Sequence, residues 1–203
     1  AQFYSSIRQS TVGFDKYRTR DAFRDLGIDL IVTKFCELDP ADEYQNTFVL
    51  YQSSEDRDLH YKSFIYDWLR HIERAGGKLI PSLDYFVAHE NKVSQALLAQ
   101  TLQIEHLYIP KQQVYGTLEE LKFCDKRLSV PLVIKSSSGS RSSGVEIARS
   151  EAETLWKARK ISASFNLYDW ARFFLKRLLR RGYINESLNR KKFLLQEFIP
   201  NLN

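Results

Sequence analysis

Between Thr47 and Ile80 the chain carries a pattern that leaves few folds open. Thr47-Phe48-Val49-Leu50-Tyr51 is a β-branched and aromatic run that reads as a strand. Tyr61, Phe64, Ile65, Trp68, Leu69 and Ile72 then recur at i, i+3, i+4, i+7, i+8 and i+11, which predicts a helix burying those residues as one face. Ala75-Gly76-Gly77 supplies the left-handed position that ends such a helix, and Lys78-Leu79-Ile80 reads as a second strand stopped by Pro81. Two strands joined through a helix form a βαβ-type unit, so a largely parallel sheet is expected. Residues 28–32 read as another strand, and residues 1–25 as an extended arm followed by a short helix.

Beyond Pro81 the pattern changes. A helix is expected from near His89 through Val93, Ala96 and Leu97. Thr117-Leu118-Glu119-Glu120 and Ser150-Glu151-Ala152-Glu153 are capping boxes, in which a hydroxyl and a carboxylate satisfy free N–H groups reciprocally. Each opens a further helix. Leu167, Trp170, Ala171, Phe174 and Leu178 are expected to form the buried stripe of another, with Arg172, Lys176 and Arg180 opposite and Gly182 at its end. Residues 193–198 read as a last strand, stopped by Pro200. A boundary between Pro81 and Asn91 gives two domains, 1–88 and 89–203.

One segment of the second domain carries chemistry. Val130-Pro131-Leu132-Val133-Ile134-Lys135 runs into Ser136-Ser137-Ser138-Gly139-Ser140-Arg141-Ser142-Ser143-Gly144-Val145. An apolar strand delivers one lysine to the mouth of a Ser/Gly loop, and residues 145–148 return as its partner strand. Glycines let backbone N–H groups approach oxyanions, and serine hydroxyls add rotatable donors. The segment reads as a clamp for nucleotide phosphates; a plain β-hairpin with a Ser/Gly tip is the competing reading. It is not a Walker A loop, because Val145 and Glu146 follow the second glycine where Lys and Ser/Thr are required. His89-Glu90 begins like a zinc-binding H-E-x-x-H, but Val93 stands in the last place, and no G-x-S-x-G occurs.

The 203 residues are 43% hydrophobic and 27% charged, ordinary values for a soluble globular protein. No apolar run is long enough to cross a bilayer, and the first twenty residues contain no secretory h-region. Cys36 and Cys124 lack metal-binding spacing and read as free thiols of a reducing, cytoplasmic compartment, with a single disulfide as the less favoured alternative. Methionine is absent even at position 1, which reads as a processed or partial chain. The net charge of +5 concentrates between Lys157 and Lys192, where the only acids are Asp169 and Glu186. A solvated basic helix face is the preferred reading, ahead of nucleic acid, an acidic lipid surface or an anionic substrate.

Three segments recur in a familiar order: Asn91-Lys92 opening a helix, Val133-Ile134-Lys135 with its Ser/Gly loop and Gly144-Val145, and Leu195-Gln196-Glu197-Phe198-Ile199. From about Leu79 onward this resembles the ATP-grasp superfamily of carboxylate–amine (or thiol) ligases. The resemblance implies an α/β chain: a Rossmann-like pre-ATP-grasp domain with a mostly parallel sheet over 1–88, then an α+β small nucleotide lobe over 89–203. It implies that Lys92 and Lys135 contact the nucleotide, and that Ser138, Gly139, Ser140, Ser142, Ser143, Gly144 and Val145 belong to the loop over the β- and γ-phosphates. Gln196, Glu197, Phe198 and Ile199 would read adenine, with Glu197 accepting from the exocyclic amine and the Ile199 backbone donating to the ring. ATP and magnesium are the implied cofactors, with the metal ligands expected beyond residue 203, and a small carboxylate is the implied substrate, activated as an acyl-phosphate for attack by an amine or other nucleophile. Glu90 precedes Asn91 where the family has an Asn-Asp-Lys triplet, so Lys92 is shifted, and the span from Val145 to Gln196 is longer than usual. A non-catalytic nucleotide-binding module remains the alternative. A basic nucleic-acid-binding protein ranks below it because Trp170 and Phe174 fall on the expected buried stripe, and homo-oligomerisation is left open.

Overall fold

The computed structural model describes residues 2–5, 15–53, 59–102, 106–138, 144–164, 166–180, 182, 184 and 186–200. The fold is mixed α/β, with one parallel and one antiparallel sheet. It divides into two compact units, Ala1–Val87 and Ala88–Asn203.

The first unit holds four strands, β1 (Gln2–Ser5), β2 (Ile31–Lys34), β3 (Phe48–Tyr51) and β4 (Lys78–Ile80), in the order β2-β1-β3-β4. Every pairing is parallel. Residues 2–5, expected as an arm, are a central strand, and the strand expected over 28–32 lies at Ile31–Lys34. Helix α1 (Lys16–Asp25) begins at Asp15, whose Oδ1 accepts from the backbone N–H of Tyr17 and Arg18. Helix α2 (His60–Arg74) links β3 to β4 and buries Ile65, Leu69 and Ile72 against Phe35, Tyr44, Val49 and Phe86. Its inward face is rotated from the expected one. Phe64 is exposed, and the buried Lys62 instead lays its ammonium 5.3 Å from the centre of the Phe86 ring. Gly76, at φ 90°, ends the helix. A short helix α3 (Leu83–Ala88), too brief to show periodicity, follows β4.

In the second unit the helix expected from His89 starts later. Glu90 takes a left-handed φ of 55° and Asn91 caps α4 (Lys92–Thr101), its Oδ1 accepting from the Ser94 N–H at 3.2 Å. The remaining elements are β5 (Gln112–Tyr115), α5 (Leu118–Phe123), β6 (Leu132–Ser136), β7 (Val145–Ala148), α6 (Glu151–Ser162), α7 (Leu167–Leu179) and β8 (Phe193–Glu197). The sheet is antiparallel in the order β5-β8-β6-β7, so the last strand sits in the interior. Thr117 and Glu120 make the expected reciprocal cap of α5. Ser150 caps α6, but the Glu153 carboxylate reaches the N–H of Arg149, one residue beyond the cap.

Strand alternation gives the sheet two unlike faces. Leu132 and Ile134 of β6, Phe193 and Leu195 of β8, and Tyr115 of β5 point into a core completed by Leu118 and Leu121 of α5 and Ala158 of α6. The buried stripe expected on α7 is not observed. Leu167, Trp170, Ala171, Phe174 and Leu178 are exposed, and Phe173 is the residue α7 buries. The stripe identifies residues that share an environment; here that environment is solvent.

Candidate nucleotide site

The sheet face opposite the core carries the residues that the sequence singles out. Lys135 is paired in register with Leu194, and Gln196 lies two residues further along β8, on the same face. Such diagonal neighbours are within reach of long side chains. The Lys135 ammonium donates to Gln196 Oε1 at 2.7 Å. Gln112 of β5 stands directly opposite Gln196 in register. Lys92, Gln95, Ala96 and Ala99 of α4 complete the lining with Leu194, enclosing a cavity of about 280 Å³.

The start of α4 is fastened to the end of β6. The Lys92 N–H donates to the Ser137 carbonyl at 2.8 Å. The buried Ser137 hydroxyl donates to Asn91 Oδ1 at 2.9 Å, and Asn91 Nδ2 donates to Ser94 Oγ at 2.6 Å. Asn91 therefore caps the helix and joins it to the lysine strand with one side chain. Burial lowers the pKa of Lys135 below the ordinary lysine value of 10.5, and the charge of nearby Lys92 lowers it further. A poorly solvated ammonium beside a like charge is a group that an anion would relieve.

Ser138 lies next to the strand end, where its carbonyl accepts from Ser136 Oγ at 2.7 Å. Gly139, Ser140, Ser142 and Ser143 lie outside the described residues. Gly144 re-enters with φ 74°, and its carbonyl accepts from the Ser136 N–H at 2.8 Å. A Cβ on Gly144 would collide with Ser136 Oγ, so both the backbone angle and the space demand glycine. Val145 pairs with Lys135 across the β6–β7 ladder.

Beyond Gln196 the strand ends at Glu197, one residue before the expected limit, and Phe198 and Ile199 follow half-buried. The Glu197 side chain already has donors: its Oε1 accepts from the Tyr108 hydroxyl and from the Lys111 N–H at 2.9 Å. The Tyr108 bond, helped by the Lys111 N–H, holds the carboxyl below the usual carboxylate range. The carboxylate thus clasps the segment at 108–111 to the end of β8. The sequence does not single out Gln95 or Gln112, and gives Ser137 only as part of the Ser/Gly segment. For Gln112 the available signal was a polar residue on a strand, but its pairing with β8 spans most of the second unit.

A larger cavity of about 620 Å³ lies between α7, the start of α5 and residues 186–189, lined in part by Glu119, Trp170, Phe174 and Arg177. It shares no residue with the lysine cavity. Among the described residues no group of three or more His, Cys, Asp or Glu side chains gathers to hold a metal ion, and no helix is long and apolar enough to cross a membrane.

No family model matches the sequence, and no curated protein matches it. Solved structures do. One is an ATP-grasp RimK domain protein from Sphaerobacter thermophilus, 11% identical over 98% of this chain with a TM-score of 0.45. Another is the ADP complex of purK, N5-carboxyaminoimidazole ribonucleotide synthetase, 16% identical over 98% of this chain with a TM-score of 0.45. A third is D-alanine–D-alanine ligase from Helicobacter pylori, 14% identical over 98% of this chain with a TM-score of 0.37. The chain spans 65%, 47% and 63% of these three chains respectively.

Proposed function

We propose that residues 88–203 are the nucleotide-binding lobe of an ATP-grasp ligase and that residues 1–87 are its Rossmann-like pre-ATP-grasp domain. The observation that carries this reading is the convergence of three separated segments on one cavity. Lys92 reaches it from a helix start, Lys135 from β6 and Gln196 from β8, and the two strand residues are hydrogen-bonded at 2.7 Å. The parallel order β2-β1-β3-β4 of the first unit, with helix α2 crossing between β3 and β4, supports the Rossmann-like assignment.

In this reading Lys135 and Lys92 hold phosphate oxygens as compact charges. Gln196 positions Lys135 and gives it up to the nucleotide as phosphate enters. The Ser/Gly segment between Ser138 and Val145 covers the β- and γ-phosphates. The main chain from Glu197 to Ile199 meets the adenine edge, the Glu197 carboxylate being engaged by Tyr108 and Lys111. The reaction class is transfer of the γ-phosphoryl group of ATP to a substrate carboxylate, with departure of ADP, followed by displacement of phosphate by an amine or another nucleophile. The lysines contribute by positioning and by spreading charge. Magnesium belongs to that chemistry; among the described residues no group of three or more His, Cys, Asp or Glu side chains gathers to hold it.

Calorimetric titration of the chain with ATP tests the reading, with GTP as the comparison. Binding of ATP in preference to GTP is expected, with loss of binding in Lys135→Met. Equal affinity for both nucleotides, or none for ATP, would remove the nucleotide-lobe assignment. Magnesium-dependent ADP formation that rises with an added carboxylate would favour a ligase over a non-catalytic module.

A further inference from the structure

The feature that the nucleotide reading leaves unused is the outward face of α7. Leu167, Ala171, Phe174 and Leu178 form one ridge at spacings of four, three and four. Tyr168, Leu175 and Leu179 widen it on one side and Trp170 on the other. At about 100° per residue the apolar arc from Trp170 to Leu179 covers roughly half the helix circumference. It faces away from the core: Leu167 is 73% exposed, Leu178 68% and Leu179 81%. Trp170 and Phe174 stack on each other, ring centroids 5.9 Å apart, and flank the cavity that α7 shares with Glu119 and residues 186–189. Ile184, just past the helix, is also exposed.

We propose that this face of α7 lies on an anionic lipid membrane surface. The charge around the arc selects the occupant. Arg172 and Arg177 stand immediately outside its two margins, and Lys176 and Arg180 occupy the remaining arc. The one acid on the helix, Asp169, and Glu186 near the Trp170 margin are both held by Arg190, at 2.9 and 2.7 Å, while Glu119 lies in the cavity beside Arg177. An occupant must therefore be apolar where it meets the arc and negative at its edges, which describes the acyl–headgroup boundary of an acidic bilayer. Tyr168 and Trp170 lie toward the two sides of the arc, placing amphipathic rings where an interface takes them. At 13 residues the helix is too short to span and can only lie flat.

Sedimentation of the chain with mixed phosphatidylcholine–phosphatidylglycerol vesicles, against pure phosphatidylcholine, tests this. The expected result is at least about tenfold stronger association with the anionic vesicles, falling with salt, and a blue shift of tryptophan emission that is reduced in Trp170→Phe. Leu175→Glu with Leu178→Glu should abolish association while circular dichroism and ATP affinity stay unchanged, since both residues are exposed and absent from the lysine cavity. Arg172→Gln with Arg177→Gln should remove the preference for anionic lipid. No association with either vesicle, or equal association with both, overturns the proposal. So does a concentration-dependent dimer that Leu178→Glu dissolves, or salt-sensitive oligonucleotide binding in the absence of vesicle binding; these would assign the face to a second copy or to nucleic acid.

Discussion

Replacing Lys135 by methionine should remove most of the hold on ATP and leave the fold standing. The Lys135 ammonium donates to Gln196 Oε1 at 2.7 Å, while burial and the neighbouring Lys92 lower its pKa. Methionine keeps the apolar stem beside Leu194 and removes only the charged end. A charge-assisted hydrogen bond is worth about 1.5–3 kcal/mol, so the loss of one such contact to phosphate raises the Kd for ATP by roughly 10- to 150-fold. The stability change works in the other direction. The variant no longer half-buries an ammonium next to a like charge, and Gln196, itself half-buried, can turn to water. Unfolding free energy should stay within about 1 kcal/mol of the parent, the range of substitutions that create neither a cavity nor an unpaired buried charge. Calorimetry for ATP and thermal unfolding of the same two proteins decide the matter. Equal ATP affinities would refute the assignment of Lys135 to phosphate. A collapse of Tm would show that the Lys135–Gln196 bond is structural.

Other consequences follow from the same geometry. Bound phosphate favours the charged form of Lys135, so ATP affinity is complete below the lowered pKa of the free chain and falls as pH rises through it, starting below 10.5; proton uptake measured in two buffers should track this and vanish in Lys135→Met. For the free chain the sign reverses: the unfolded lysine binds the proton more tightly, so this group's contribution to stability rises as pH climbs through the same window. Gly144→Ala should lower stability by more than the roughly 1–2 kcal/mol of a left-handed non-glycine residue, because the new Cβ also meets Ser136 Oγ; Gly27→Ala, at a similar φ of 72° but with open space around it, should lose less in the same denaturant titration. Thr117→Ala should cost about 1 kcal/mol of unfolding free energy through loss of the α5 cap, and Thr117→Ser should recover most of it.

The legible parts of the fold were those fixed by local chemistry. The helix at His60–Arg74 ends where two glycines allow it, and Thr117 with Glu120 makes a cap that needs no partner from elsewhere. The central position of Gln2–Ser5 was not legible, because the parallel partners that make it a strand lie at Ile31–Lys34 and Phe48–Tyr51. Nor was the orientation of α7. Periodicity groups Leu167, Phe174 and Leu178 on one side, but only the packing of Phe173 and the Arg190–Asp169 pair decides which side faces inward. The outward orientation bears on function, since it leaves the apolar and aromatic side chains of this stripe exposed.

The site was half legible for a related reason. Lys135 could be picked out because a lysine ending an apolar strand before a Ser/Gly loop is locally unusual. Its partners could not, since Asn91 and Ser137 are 46 residues apart and Gln196 is 61 residues from Lys135. What brings them together is the alternation that builds the core. The register that sets Ile134 opposite Leu195 on the buried face necessarily sets Lys135 and Gln196 on the other, under α4. A slip of one residue between β6 and β8 would turn the lysine into the core and an isoleucine into the cavity, and the cost of burying an unpaired ammonium forbids it. The apolar residues of β6 and β8 are therefore as much a part of the site as the lysine, because they fix which face it occupies. The clasp of Glu197 by Tyr108 and Lys111 ties the far end of β8 to the segment leading into β5, close to the main chain assigned to adenine.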